Sequence, residues 1–205
     1  MTSRHPPTVA ALLTRTRFPR ALLGAVLLLV PLAAGCAPSS SPPQPAGMVL
    51  ASPVMVAGGV LPVEFTCDGA SHSPPLAWTG VPAGTESLAL VMHHVPAPGD
   101  SHWYWVLYEI APAVTHLDAN ATPPAVVGTN GVDDRTAYTP PCSQGPGPKT
   151  YTFTLYALSA APTLPDPSMV SRQVLLDAID HLVIATATLD VTYARAAPSA
   201  QGRTP

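Results

Sequence analysis

The sequence predicts an all-β domain: a sandwich of two antiparallel sheets with one helix near the C-terminal end. Three observations predict it. Short apolar runs with strand-like alternation recur from Met48 to Tyr193. Pro- and Gly-rich turns separate them at intervals of about 8–12 residues, the spacing of sandwich strands. Only one stretch, around Leu175, repeats its apolar residues at helical spacing. The chain has 205 residues, 47% apolar and 10% charged, with 27 Pro and 14 Gly. That length suits one domain with tails rather than two. The recurring strand runs exclude disorder for the middle of the chain, despite its low charge and high Pro.

In chain order, Met48–Val56 and Pro62–Thr66 read as strands separated by Gly58-Gly59. Cys67-Asp68-Gly69 is a turn, and His72–Trp78 leads into a short strand. After a turn at Pro82–Gly84, Leu88, Leu90 and Met92 share one face of a strand, and Ala89 and Val91 share the other. Pro96, Pro98 and Gly99 then force a turn, and Trp105–Ile110 returns as strand, so the two make a hairpin. Residues 111–127 are loop-like. Residues 128–149 hold four Gly and four Pro and little apolar pattern, a long loop of the kind that is functional or disordered. Thr150–Leu158 alternates cleanly, with Tyr151, Phe153, Leu155 and Ala157 on one face. Ser168 or Ser171 can cap a helix through Val174, Leu175, Ala178, Ile179 and Leu182. Val183–Tyr193 is the last strand.

The ends read as an address and a tail. Residues 1–35 hold Arg4, Arg15, Arg17 and Arg20 and no acid, and the Arg cluster precedes an apolar run interrupted by Pro31. A basic segment, an apolar core and small residues before Cys36 form a signal peptide. Leu32–Cys36 resembles a bacterial lipoprotein signal, with Ala33 where Leu is usual. Cleavage before Cys36 would leave that thiol to carry lipid, so the expectation is an exported protein held on the cell-envelope membrane. Plain secretion and a transmembrane anchor are the alternatives. Residues 36–47, rich in Pro and Ser, form a semi-extended tether, and 196–205 a disordered tail. The folded domain is then 48–195.

Residues 36–205 carry five basic residues and all twelve acids, a net charge of −7. A surface with Lys149 as its one Lys is a poor partner for phosphate backbones, which excludes nucleic acid. With Cys36 assigned to lipid, Cys67 and Cys142 form an even pair, and in an exported domain such a pair favours a disulfide. Two free thiols or a Cys/His metal site are the rivals.

Four segments in order carry a resemblance. They are Phe65–Gly69 with Ser73–Trp78, Gly80–Thr85, Ala97–Gly99 with Trp105–Tyr108, and Tyr138–Cys142 with Gly147–Leu158. Together they resemble the phosphatidylethanolamine-binding protein (PEBP) family, in its bacterial Raf-kinase-inhibitor-like branch, over about 48–195. The resemblance implies a PEBP-like β-sandwich with a small anion-accepting pocket at one end and the helix nearby. It also implies that the pocket has been rewritten. The family's Asp-Pro-Asp-x-Pro stands here as His94-Val95-Pro96-Ala97-Pro98. Tyr104 stands where the family has His before Trp-Val-Leu-Tyr, and Lys149 where it has the His of Gly-x-His-Arg-Tyr.

Two carboxylates exchanged for other groups, with an ammonium added, make the pocket less negative. Imidazole, phenol and ammonium groups all donate to phosphate or carboxylate. The expected ligand site is therefore His94, His102, Tyr104, Tyr138, Lys149 and Tyr151, taking a small anionic ligand without cofactor. His93 and His94 point to opposite faces of a strand, so at most one lines the site, and His94 is favoured. His102 should share a face with Tyr104. His72, His116 and His181 read as surface or packing residues. No G-x-S-x-G elbow occurs, so an enzyme is not expected. Two alternatives stand: an interaction module of the protease- or kinase-inhibitor kind acting through 128–149, and a metal site of His93, His94 and His102, for which no H-E-x-x-H spacing speaks.

Overall fold

A computed structural model of the chain describes residues 47–96, 101–144 and 147–195. The expected signal peptide, Cys36, nearly all of the tether and the C-terminal tail lie outside the described residues. Among the described residues, eight strands and one α-helix follow in order. They are β1 (Val49–Ala51), β2 (Leu76–Thr79), β3 (Ser87–His94), β4 (His102–Ile110), β5 (His116–Leu117), β6 (Val126–Val127), β7 (Lys149–Leu158), α1 (Arg172–Ile179) and β8 (Val183–Tyr193).

Two antiparallel sheets form, as the sequence predicts. The small sheet runs β1-β2-β5 and the large one β6-β4-β3-β7-β8. The large sheet is central because β3 and β4, in its middle, are apolar on both faces. Leu88, Leu90 and Met92 of β3, with Phe153 and Leu155 of β7, bury one face in the core shared with Leu50, Leu76 and Trp78 of the small sheet. Ala89 and Val91 bury the other face with Val106, Tyr108 and, from α1, Leu175 and Ile179. Each fully buried Leu or Phe contributes about 1.5–3 kcal/mol, so this alternation fixes the register. Slipping a strand by one residue would exchange its two faces.

The helix starts where Ser171 Oγ accepts from Val174 N at 3.3 Å. Ser168 is used differently: it sits in a short 3-10 turn where Asp166 accepts from its backbone N and its hydroxyl.

Two expectations need correction. Pro62–Thr66 is no strand: Val63–Phe65 makes a 3-10 turn, with Thr66 N donating to Val63 O at 3.0 Å. The following turn doubles back so closely that a Cβ on Gly69 would lie 2.1 Å from Val63 O, which an extended chain there could not allow. Of Met48–Val56, only Val49–Ala51 pairs as strand, because Pro53 has no N–H to extend the ladder.

Part of the loop after β6 is pinned. Asn130 is fully buried; its Nδ2 donates to Asp133 Oδ1 and to the Arg135 and Ala137 carbonyls, and its Oδ1 accepts from Val132 N and Asp133 N. Gly131 lies flat on the Trp103 ring, where a Cβ would come within 2.6 Å. Gly128, Gly131 and Thr139 donate their backbone N–H to the carbonyls of Val106, Trp103 and Tyr104. This loop thus continues the ladder along the edge of β4.

Candidate functional site

The site lies at the end of the large sheet where β3 turns into β4. In the hairpin His94 pairs with His102, His93 with Trp103 and Met92 with Trp105. Two consecutive residues of β3 therefore face three of β4, and Tyr104 is the extra one. This β-bulge re-aims a side chain. Tyr104 and Trp105, adjacent in sequence, both join the core between the sheets. The ring of Tyr104 meets that of Tyr151 edge-on, centroids 5.3 Å apart, and His94 lies 5.4 Å from Tyr151 on its other side. The His94 ring is anchored by Nδ1, 2.7 Å from the carbonyl of Thr150 on β7.

The opposite wall is the segment after Thr139. Cys142 is joined to Cys67 by a disulfide, Cα to Cα 5.3 Å, and Cys67 N donates to Pro141 O at 3.1 Å. These links hold Cys142, Ser143 and Gln144 against the sheet end. Together with His94, Pro96, His102, Tyr104, Lys149 and Tyr151 they enclose a hollow of about 250 Å³. Five of the six expected ligand residues thus meet in one place. Tyr138 does not line the hollow. It stacks edge-on against Trp105 at 5.5 Å and donates its hydroxyl to Phe65 O at 2.6 Å, bracing the wall from behind.

Burial, above all, raises the pKa of Tyr104, Tyr138 and Tyr151, so the phenols keep their protons. No carboxylate lines the hollow among the described residues, and Lys149 brings an ammonium to it. The carboxylate of Asp68, beside Cys67, is engaged elsewhere. It accepts from the Tyr193 hydroxyl and from Arg195, the latter at 2.6 Å, and both bonds hold its pKa below the usual range.

Seven side-chain polar atoms of the described residues are buried without a hydrogen-bond partner, and three of them, His94 Nε2, Ser143 Oγ and the Tyr151 hydroxyl, belong to residues lining this hollow. Buried polar groups are nearly always paired, and each exception needs a reason. The Tyr151 hydroxyl lies near Ser143 and Tyr104 but completes a hydrogen bond with neither. Sequence reasoning missed Ser143 and Gln144. Their one signal was adjacency to Cys142, whose bridge to Cys67 carries them to the sheet end.

His93 points through the sheet to the opposite face. Burial first, then the guanidinium of Arg172 on α1, lower its pKa to about 4. The three imidazoles of the hairpin therefore do not converge, and no group of three His, Cys, Asp or Glu able to hold a metal occurs among the described residues.

Two packed antiparallel sheets, one late helix and a disulfide-braced polar hollow at a sheet end define a class of small β-sandwich with an end cavity. The family model described as phosphatidylethanolamine-binding protein matches residues 51–194. The chain belongs to that family. A UPF0098 protein of Chlamydia pneumoniae is 34% identical over 151 residues, covering 71% of this chain and 98% of its own length. A Mycobacterium tuberculosis protein named "Putative lipoprotein LppC" is 37% identical over 126 residues, 60% of this chain and 62% of that one. Among solved structures, a PEBP homologue from Chlamydia trachomatis superposes with a TM-score of 0.67 at 32% identity, covering 73% of this chain and 99% of that one. Escherichia coli YbcL, described as a new member of the mammalian PEBP family, gives 0.64 at 27% identity over 74% of this chain and all of its own.

Proposed function

We propose that the protein is an exported, lipid-anchored binding protein whose end hollow takes a small phosphate-type anion, without catalysis. The observation that carries this reading is that three residues lining one hollow, His94, Ser143 and Tyr151, each bury an unpartnered polar atom, beside an ammonium and with no carboxylate among the described lining residues. An anion seated there would accept from Ser143 and Tyr151 and be attracted by Lys149. A hydroxyl and an imidazole share the hollow, yet His94 Nδ1 is turned to a backbone carbonyl rather than to an acid. A general base oriented by a third, acidic group is therefore missing from the described wall, which favours binding over acyl transfer. Lipid attachment at Cys36 draws on the signal-like residues before it and on the lipoprotein name of the mycobacterial relative. The pinning of 128–139 to β4 gives the interaction-module alternative no mobile contact surface in that part of the loop.

Thermal unfolding with inorganic phosphate or phosphoethanolamine tests the reading. Ligand at about 100 times its dissociation constant should stabilise the protein by roughly 2.7 kcal/mol, and Lys149→Ala should remove most of that rise. No rise with either anion, or an equal rise in Lys149→Ala, would sink it.

A further inference from the structure

We infer that the hollow selects an anion that still carries a proton, such as hydrogen phosphate or a protonated phosphate monoester, over one that cannot donate, such as sulfate or a phosphodiester. The inference rests on the anion-binding reading above and deepens it. Its basis is the chemistry of one ring. His94 Nδ1 lies 2.7 Å from Thr150 O. A carbonyl oxygen only accepts, so Nδ1 carries hydrogen. In the neutral imidazole the other nitrogen, Nε2, is then a lone-pair acceptor. It is buried and has no partner.

The other polar side chains of the wall can donate, and Pro96 and the bonded Cys142 offer no side-chain hydrogen to donate. Ser143 and Tyr151 each bury an unpartnered hydroxyl, and Lys149 offers an ammonium. Tyr104 and His102 face the same space from β4. His93 stands next to His94 in the chain but on the other face of the sheet, beside Arg172. No carboxylate of the described residues lines the space. A fully deprotonated oxyanion would satisfy the donors but set a lone pair against the lone pair of Nε2. An anion with one acidic hydrogen satisfies both, donating that hydrogen to Nε2 and accepting from the hydroxyls and Lys149. Hydrogen phosphate keeps a P–OH throughout the pH range of folded proteins. Sulfate has none there, and a phosphodiester has none either, so a phospholipid's own phosphate is disfavoured.

The test is calorimetric titration of the full-length protein with sodium phosphate, sodium sulfate and dimethyl phosphate at pH 8.5. An unmet buried acceptor costs about 1–3 kcal/mol, so at pH 8.5 phosphate should bind at least about tenfold tighter than sulfate or dimethyl phosphate. The ratio is the readout, because a change in the overall charge of the hollow would shift all anions together. In His94→Phe, checked for an intact cooperative melt, the ratio at pH 8.5 should fall toward one. In Lys149→Ala both affinities should drop with the ratio unchanged. Equal binding of phosphate and sulfate by the wild-type protein at pH 8.5 overturns the inference and leaves the anion pocket standing. Absence of binding by all three anions overturns the anion pocket, and this inference with it.

Discussion

Replacing Tyr151 by Phe should make the unliganded protein more stable and a weaker binder of anions. Tyr151 is fully buried, and its hydroxyl has no hydrogen-bond partner. Leaving a buried hydroxyl unmet costs about 1–3 kcal/mol. Phe keeps the ring and its edge-on contact with Tyr104, so packing changes by one oxygen. Part of the gain is offset by the small gap left behind, and a net stabilisation of about 1 kcal/mol is expected, or a rise in Tm of about 2–4 °C for a domain of this size. The same hydroxyl is one of the two unpartnered hydroxyl donors offered to the ligand. Its loss should weaken phosphate binding about tenfold, the effect of roughly 1.4 kcal/mol. Denaturant titration of the ligand-free proteins gives the first quantity and calorimetric titration the second. Most changes in a core destabilise, so the sign itself is diagnostic. A loss of more than about 1 kcal/mol in Tyr151→Phe would mean that the hydroxyl is paired in the folded protein, to Ser143 or Tyr104, and the argument from unmet groups would lose its strongest member.

Two further predictions follow from the wall and from the far face of the sheet. The bridge between Cys67 and Cys142 spans 75 residues, so Cys67→Ala with Cys142→Ala should cost about 4 kcal/mol by loop entropy. Chemical denaturation should show that loss, and calorimetry should show weaker anion binding, because Ser143 and Gln144 lose their tether. His93, with its pKa lowered to about 4 against an ordinary 6.5, resists protonation when folded and takes up a proton when unfolded. Its contribution is therefore complete above about pH 6.5 and is lost as pH falls toward 4. For a half-buried ring, solvent screening reduces this to roughly 1–2 kcal/mol. His93→Gln should flatten the stability profile between pH 4 and 6.5, and an unchanged slope in that variant would assign the effect to other groups.

How far the sequence reveals this fold depends on where one periodicity governs. In β3 alternate residues are apolar on both buried faces, and in β7 Tyr151, Phe153, Leu155 and Ala157 line one buried face, so strand type and inward face follow from alternation, while the pairing of β3 with β7 does not. Near Cys67 alternation misleads. Val63 and Phe65 look like strand residues, but the tight return at Gly69 curls them into a turn with Phe65 buried and Val63 exposed. The Gly/Pro loop reads as structureless because what holds it is not periodic: a single buried Asn130 and a glycine flat on Trp103. At the site, His94, His102, Tyr104, Lys149 and Tyr151 could be anticipated from the hairpin and from the family frame. Tyr138 matched the frame equally well, yet its hydroxyl is used by Phe65 O. Ser143 was invisible because only the tertiary path through the disulfide brings it in.

The frame of the hollow and its lining answer to different forces, so the lining can change while the frame stays. The fixtures of the frame are largely backbone groups and the disulfide. Thr139 N donates to Tyr104 O, Cys67 N to Pro141 O, and His94 is held by the carbonyl of Thr150. The bulge places residue 104 over the hollow through a register shift that does not depend on which side chain stands there. A phenol can therefore occupy that place without disturbing the ladder. The same holds for Lys149, whose position is set by its pairing with Tyr193 at the start of β7. With a wall fixed by main-chain bonds, exchanging one polar lining side chain for another alters charge and hydrogen-bond direction but not the course of the backbone. The unmet atoms of His94, Ser143 and Tyr151 are then the place where the lining, left free by the frame, works against folding stability, and a bound anion is what would reconcile the two.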